Sequence, residues 1–232
     1  MRLNREITEE TIFSDRPDGQ VKRARIFDTQ LVTAELESAE EKLCNLGPAV
    51  SIFGSARLTM EHPSYQLAVE IAKKLSEQKI SIITGGGPGI MEAANKGCKQ
   101  GELGTSVGLN IKLPREQTPN PYQDLSLYFE HFLTRKTIFL AYSEAFICLP
   151  GGFGTVDELM EALTLMQTKK MPVKPLVLVD RAFWEPLMTW FETHFVSHQM
   201  IAESDLKKFT IVDTVDEVLE AVASCCGVKE IV

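Results

Sequence analysis

The chain has no long apolar run, no excess of positive charge, no internal repeat and no low-complexity tract. A bilayer-spanning helix needs about 20 consecutive apolar residues, which no stretch supplies, so no membrane association is expected. Lysine and arginine number 24 against 32 aspartates and glutamates, a formal charge of -8. That balance excludes a broad basic groove for nucleic acid. Five cysteines, Cys44, Cys98, Cys148, Cys225 and Cys226, are an odd number without framework spacing. The N-terminus is charged and lacks the apolar core of a secretion signal, so reduced thiols in a cytoplasmic protein are expected. The adjacent Cys225-Cys226 pair reads as two small apolar residues ending a helix rather than a redox pair.

Two nucleotide fingerprints are also missing. No G-x-x-x-x-G-K-[ST] occurs, which excludes a P-loop NTPase. The dinucleotide motif would need a glycine where Ile90 stands and an acid where the next strand ends at Asn110. Metal-site patterns are sparse as well. His194 and His198 are four apart on an expected helix but have no nearby cysteine or H-E-x-x-H run, so no metal and no cofactor are expected. His62 and His131 have no partner that sequence reveals.

What is present suits one large domain. With 232 residues, 44% hydrophobic and 24% charged, disorder is excluded, and a chain of this size buries roughly 70% of its unfolded surface. The acidity lies at the ends. Residues 1–46 carry 7 basic and 10 acidic side chains, residues 203–232 carry 3 and 7, and 47–202 carry 14 and 15. A single anionic ligand in the middle is therefore compatible with the charge.

Residues 1–29 show no sustained period and read as an arm. Val32, Leu36, Ala39, Leu43 and Leu46 then recur at helical spacing up to Gly47-Pro48, an amphipathic helix. Residues 1–47 are thus expected as an N-terminal helical extension and 48–232 as the catalytic domain. From residue 49, short apolar runs at 50–53, 80–83, 105–109, 145–149 and 175–179 alternate with helical stretches near 64–78, 89–100, 131–143, 155–168 and 183–195. A late strand at 209–212 and a helix at 214–225 follow. This alternation predicts an α/β, doubly wound, Rossmann-like parallel sheet with helices on both faces, whose ligand sits beyond the strands' carboxyl ends.

The glycines cluster at such ends. After the second run comes Thr84-Gly85-Gly86-Gly87-Pro88-Gly89-Ile90-Met91-Glu92. Its glycines would let a ligand approach backbone N–H groups, and Pro88 fits as first helical residue of an anion-binding N-terminus. A tight structural crossover is the alternative. After the fourth run comes Pro150-Gly151-Gly152-Phe153-Gly154-Thr155-Val156-Asp157-Glu158. Thr155 and Glu158 have capping-box spacing, which would make Glu158 a mere cap. Against that, Val156, Leu159, Met160 and Leu163 define the apolar face, which leaves Glu158 pointing away from it and toward the glycines. The third feature is Arg135-Lys136. Phe132, Arg135, Phe139 and Tyr142 share a helical stripe, and an arginine there needs an anionic partner: a structural carboxylate, a phosphate or Glu158 itself.

These residues together resemble the Lonely guy (LOG) family, the cytokinin riboside 5'-monophosphate phosphoribohydrolases. The hallmarks are the arginine-lysine pair and the P-G-G-x-G-T-x-x-E loop, here Arg135-Lys136 and 150–158 without departure. Phe53-Gly54-Ser55-Ala56-Arg57, residues 85–91 and Glu116-Gln117-Thr118-Pro119-Asn120 are similar to the longer bacterial members, and the likeness covers about 48–222. The resemblance implies hydrolysis of the N-glycosidic bond of a purine nucleoside 5'-monophosphate such as AMP, or an N6-modified cytokinin nucleotide. It implies Glu158 and Arg135 as catalytic residues. Gly151, Gly152, Gly154, Thr155, Lys136, Gly54, Ser55, Gly86 and Gly87 would hold phosphate and ribose, and Glu92 and Met91 would contact the base. Arg135 would pair with the phosphate or lower the pKa of Glu158. The family also carries a lysine decarboxylase label, for which the sequence offers no recognisable pyridoxal phosphate site. A non-catalytic nucleotide sensor or carrier of the same fold is the alternative. Family members are at least dimers, and the helix at 155–168, apolar almost all round, suits a homodimer or larger homo-oligomer. The proline-containing segment 112–124 reads as a cover for the base or as plain surface loop.

Overall fold

Strands buried on both faces must be apolar on both faces, and the short runs meet that requirement. In the computed structural model, which describes residues 28–113 and 118–226, they form β1 (Ala49–Phe53), β2 (Ser81–Thr84), β3 (Ser106–Ile111), β5 (Ala145–Cys148), β6 (Leu176–Val179) and β7 (Thr210–Val212). The sequence reading lacked one strand, β4 (Leu125–Phe129). It lies at the sheet edge beside β3, so Tyr128 is exposed and only Leu127 and Phe129 are fully buried. A half-buried edge strand has no continuous apolar run, which is why it was missed. All seven strands pair in parallel in the order β4-β3-β2-β1-β5-β6-β7.

The helices are α1 (Thr29–Leu43), α2 (Pro63–Glu77), α3 (Ile90–Gly101), α4 (Phe132–Tyr142), α5 (Phe153–Gln167), α6 (Arg181–Trp190) and α7 (Val215–Cys226). After Trp190 the chain continues as the π-helical stretch Phe191–Val196, which carries His194 and leads to His198. Alternate strand residues sort into two cores. Val50, Ile52, Ile82, Ala145 and Ile147 pack with α2, α3 and α7. Ala49, Phe53, Ile83, Phe146 and Cys148 pack with α4, α5 and α6 on the other face. The period-2 alternation of a strand produces this sorting directly.

Helix α1 belongs to this body. Asp28 caps it by accepting from the N–H of Gln30 and Leu31, and Ala39 and Leu43 are fully buried in the second core. The expected arm at 1–29 lies outside the described residues except for Asp28 and Thr29, and so do the side chains of Cys225 and Cys226. Of the second apolar side of α5, Met160 and Leu163 share a small groove with Phe191, Phe195 and Leu206 of the same chain. Among the described residues no helix is long and apolar enough to cross a membrane.

Chain order runs outward from β1 through β2, β3 and β4, then returns to place β5 on the other side of β1. The loops that leave β1 and β5 therefore part in opposite directions, opening a crevice at the strands' carboxyl ends.

Candidate active site

The crevice is a cavity of about 1010 Å³. Its walls come from the ends of six strands: Gly54 and Ser55 after β1, Gly85, Gly86 and Gly87 after β2, Asn110 of β3, Phe132 after β4, the 150–158 loop and helix start after β5, and Asp180 and Phe183 after β6. Glu158, Arg135, Gly151, Gly152, Gly154, Thr155 and Met91 also line it. Two expected contacts do not. Lys136 points to α5, where its ammonium lies 3.0 Å from Asp157 and 2.7 Å from Glu161. Glu92 accepts a hydrogen bond of 3.0 Å from the Tyr65 hydroxyl. Neither side chain lines the cavity.

The two glycine turns differ in how their space is used. Helix α3 begins at Ile90 with Gly89 as its N-cap, so Pro88 lies before the helix rather than opening it. Gly89 has φ +69, and a side chain there would strike the Ser55 carbonyl. The N–H of Ile90 donates to that carbonyl at 2.9 Å, and the N–H of Gly86 donates to Thr84 Oγ1 at 3.0 Å. The Gly86 carbonyl accepts from the Asn120 N–H and from Gln123 Nε2, both at 2.9 Å. The first turn is thus bonded in part to its own surroundings, although the start of α3 has no side-chain cap. Its fastening explains the 112–124 segment in part: Thr118 and Pro119 line the cavity, while Asn120 and Gln123 anchor them. Residues 114–117, including Glu116 and Gln117, lie outside the described residues.

The second turn is open. Gly152 is the N-cap of α5, and no side chain caps this end. A Cβ at Gly152 or Gly154 would meet nothing within 4 Å, whereas one at Gly151 would collide with Thr155 Oγ1. The first N–H groups of a helix have no intrahelical acceptor, so this end offers donors and positive dipole to an anion. Because α5 starts at Phe153, Thr155 is inside the helix and cannot be the N-cap. The capping-box alternative for Glu158 is thereby removed.

Glu158 itself is placed differently from expectation. The buried stripe of α5 is Thr155, Glu158, Leu159, Ala162 and Met166, so Glu158 lies on the inward face instead of opposite it. Val156, Met160 and Leu163 are only partly buried. Positions 155, 158, 162 and 166 follow the spacing of one helical stripe, and the cavity removes the apolar neighbours that would otherwise exclude a carboxylate there. Burial raises its pKa to about 7, with Arg135 and then Lys136 opposing the rise. The expected lowering by Arg135 is real but smaller than the desolvation.

Arg135 is 9% exposed and has no carboxylate within ion-pair distance among the described residues. Its Nε donates to the Leu109 carbonyl at 2.7 Å and an Nη to the Gly85 carbonyl at 3.4 Å, and the guanidinium lies over the Phe139 ring at 5.2 Å. Burial lowers its pKa and Glu158 counters that, yet an arginine remains charged at any ordinary pH. Gly85 carries no Cβ because one would overlap the guanidinium. The stripe drawn from sequence holds for Arg135 and Phe139, while Phe132 is 53% exposed at the cavity mouth. Sequence reasoning named Phe132, Phe153 and Arg57 within motifs but assigned no site role to them, nor to Phe183, His62 and Asp180; all six line the cavity, and Phe132, Phe153 and Phe183 are exposed aromatic rings on its wall. They follow different strands, and no spacing in the sequence links them.

Comparison with known proteins identifies relatives of the chain. A family model described as "Possible lysine decarboxylase" matches residues 91–222, more than half of the chain. The rice protein named cytokinin riboside 5'-monophosphate phosphoribohydrolase LOG is 36% identical over 146 residues, covering 60% of this chain and 58% of its own. A protein of the same phosphoribohydrolase name from Mycobacterium tuberculosis is 29% identical over 167 residues, 68% of this chain and 84% of its own. Among solved structures, the molybdenum cofactor carrier protein of Chlamydomonas reinhardtii shares the fold with a TM-score of 0.57 at 22% identity, over 78% of this chain and 99% of that one. By its family match and these relatives, the chain belongs to the LOG family, the group whose model bears the lysine decarboxylase description.

Proposed function

We propose that this protein hydrolyses the N-glycosidic bond of purine nucleoside 5'-monophosphates, AMP or its N6-modified relatives, releasing the free base and ribose 5-phosphate. The observation that carries the reading is a buried carboxylate, Glu158, on the wall of a cavity that also presents an uncapped helix N-terminus and the guanidinium of Arg135. The 5'-phosphate binds at the open turn, on the N–H groups that follow Gly152 and on the Thr155 hydroxyl. Anchoring it fixes the ribose, so that C1' faces the reacting groups. As the base leaves, the sugar becomes oxocarbenium-like. The Glu158 carboxylate stabilises that charge and takes a proton from the attacking water. Arg135 lies between the glycine turns, where it pairs with the phosphate or with ionised Glu158. Gly54, Ser55, Gly86 and Gly87 shape the ribose side, and Met91 the base side. Lys136 ties α4 to α5 through Asp157 and Glu161 rather than touching ligand.

A pyridoxal-dependent decarboxylation needs a lysine to hold the cofactor as a Schiff base. Among the described residues no lysine lines the cavity, so the decarboxylase description does not fit this site. Purified protein incubated with AMP, GMP, CMP and N6-isopentenyl AMP should release free base, followed by chromatography. Tight binding across that panel without release of any base would instead support a carrier or sensor.

A further inference from the structure

Helix α4 carries Arg135 but none of the charges that would settle its own ends. Its first turn has no acidic residue, its last turn no basic one, and its N-cap, His131, makes no side-chain capping bond. A helix start in this state leaves backbone donors and a positive dipole end unanswered. Other elements hold the residues around both ends. At the start, Glu35 of α1 accepts from the Glu130 N–H at 2.5 Å, from Thr134 Oγ1 at 2.5 Å, and faces His131 Nδ1 at 3.2 Å. At the end, Lys174 Nζ donates to the Leu140 and Ser143 carbonyls at 3.2 and 2.5 Å.

Glu35 is 8% exposed, and its carboxylate is turned to the helix that carries Arg135, whose guanidinium lines the cavity. Burial acts to raise its pKa, yet the bonds from Thr134, Glu130 and His131 together hold it below the ordinary value. The carboxylate is therefore charged at neutral pH, where it complements the helix dipole. Arg135 follows Thr134 directly, and its own N–H bonds to the His131 carbonyl at 3.3 Å. Any fraying of the first turn would shift the base of the arginine side chain.

We propose that Glu35 is a positioning residue for the active site: it clasps Glu130, His131 and Thr134 at the start of α4 and so fixes where the Arg135 guanidinium stands in the cavity. The inference rests on the reading of Arg135 as a ligand-binding group. It gives a task in the site to α1, which lies outside residues 91–222 matched by the family model. An unsatisfied buried donor costs far more than a replaced one, so Glu35→Ala and Glu35→Gln must differ. The glutamine oxygen still accepts from the Glu130 N–H, and its amide nitrogen donates to the Thr134 hydroxyl, which turns its own proton to the His131 carbonyl; the alanine makes neither bond.

The test follows the Arg135 Nε–H resonance in proton–nitrogen NMR spectra of the full chain, identified by its loss in Arg135→Lys. Its bond to Leu109 and its burial protect it from exchange. Glu35→Ala should displace or erase that peak and weaken AMP binding about tenfold or more. Glu35→Gln should keep the peak and hold affinity within about threefold. If folded Glu35→Ala leaves the peak unmoved, the proposal is overturned. Should Glu35→Ala not fold, Thr134→Val removes one donor alone; a shifted peak supports the clasp and an unmoved one overturns it. If the wild-type protein binds no AMP, the proposed function fails, while the resonance still decides the role of Glu35.

Discussion

The two glycine turns are near copies in sequence and opposites in structure. Each follows a buried strand and enters a helix, and each lines the same cavity. After β2 the backbone groups bond to Thr84, Ser55, Asn120 and Gln123, and the room left by the glycines is taken by Arg135, Asn110 and the Ser55 carbonyl. After β5 the room at Gly152 and Gly154 is empty; neither helix start has a side-chain cap, but at α3 the Ile90 N–H is already taken by the Ser55 carbonyl. A glycine can therefore be present because protein fills the missing side chain, or because ligand must. Only the second kind marks a binding site.

The sharpest test of that contrast is Glu158, which stands one turn inside the open helix. Glu158→Gln should lower turnover about 100-fold or more, the scale of general acid–base catalysis, while AMP affinity measured by calorimetry stays close to wild type. Full activity in that variant would move the catalyst elsewhere in the cavity.

On the closed turn, Gly89→Ala should harm folding. Its φ of +69 and the nearby Ser55 carbonyl leave no place for a methyl group. Backbone strain alone costs about 1–3 kcal/mol, so the midpoint of urea unfolding should fall clearly. An unchanged midpoint would show that this turn is not held as tightly as its bonds indicate.

The raised pKa of Glu158, about 7, predicts two pH effects. If the carboxylate form acts on water, kcat/KM rises with pH and levels off above about 7. Stability goes the other way. The folded protein binds this proton more tightly than the unfolded chain, so the stabilisation is complete below the ordinary carboxyl value of 4.5 and is lost as pH rises through about 7. Glu158→Gln should therefore be more stable than wild type at pH 8 by on the order of 3 kcal/mol, relative to their difference at pH 4. Equal pH dependence of the two melting curves would contradict the burial of this charge.

The smallest effect is expected on the open turn. Gly154→Ala has free space for its methyl group and gains helix propensity, so stability should rise by up to about 1 kcal/mol. The same methyl group would project where the phosphate is proposed to bind, so AMP affinity should drop. Gain in stability with loss of affinity separates a ligand glycine from a packing glycine.

How far could the sequence be read? Buried parallel strands declare themselves as short apolar runs, and six of the seven did. Edge strand β4 did not, because one of its faces is partly solvated. Glu158 was recognisable by its motif, but its direction was misjudged: apolar spacing placed the inward stripe at Val156, Leu159, Met160 and Leu163, and the structure places it at Thr155, Glu158, Leu159, Ala162 and Met166. A helix apolar on several sides does not state which side faces the sheet. Lys136 was drawn toward the ligand by its neighbour Arg135, although residues adjacent on a helix point about 100° apart. Its partners Asp157 and Glu161 sit on another helix, beyond the reach of local pattern.

By itself the sequence determined the alternation of strands and helices, the sheet class, the glycine turns at strand ends and the residues that identify the family. These depend on periodicity and on backbone preferences, which act over a few residues. The tertiary structure decided which turn is open, which face of α5 is inward, why Glu158 titrates near 7, and that Glu35 closes the start of α4. Those outcomes depend on burial and on hydrogen bonds between segments far apart in the chain, and neither exists until the sheet brings the segments together.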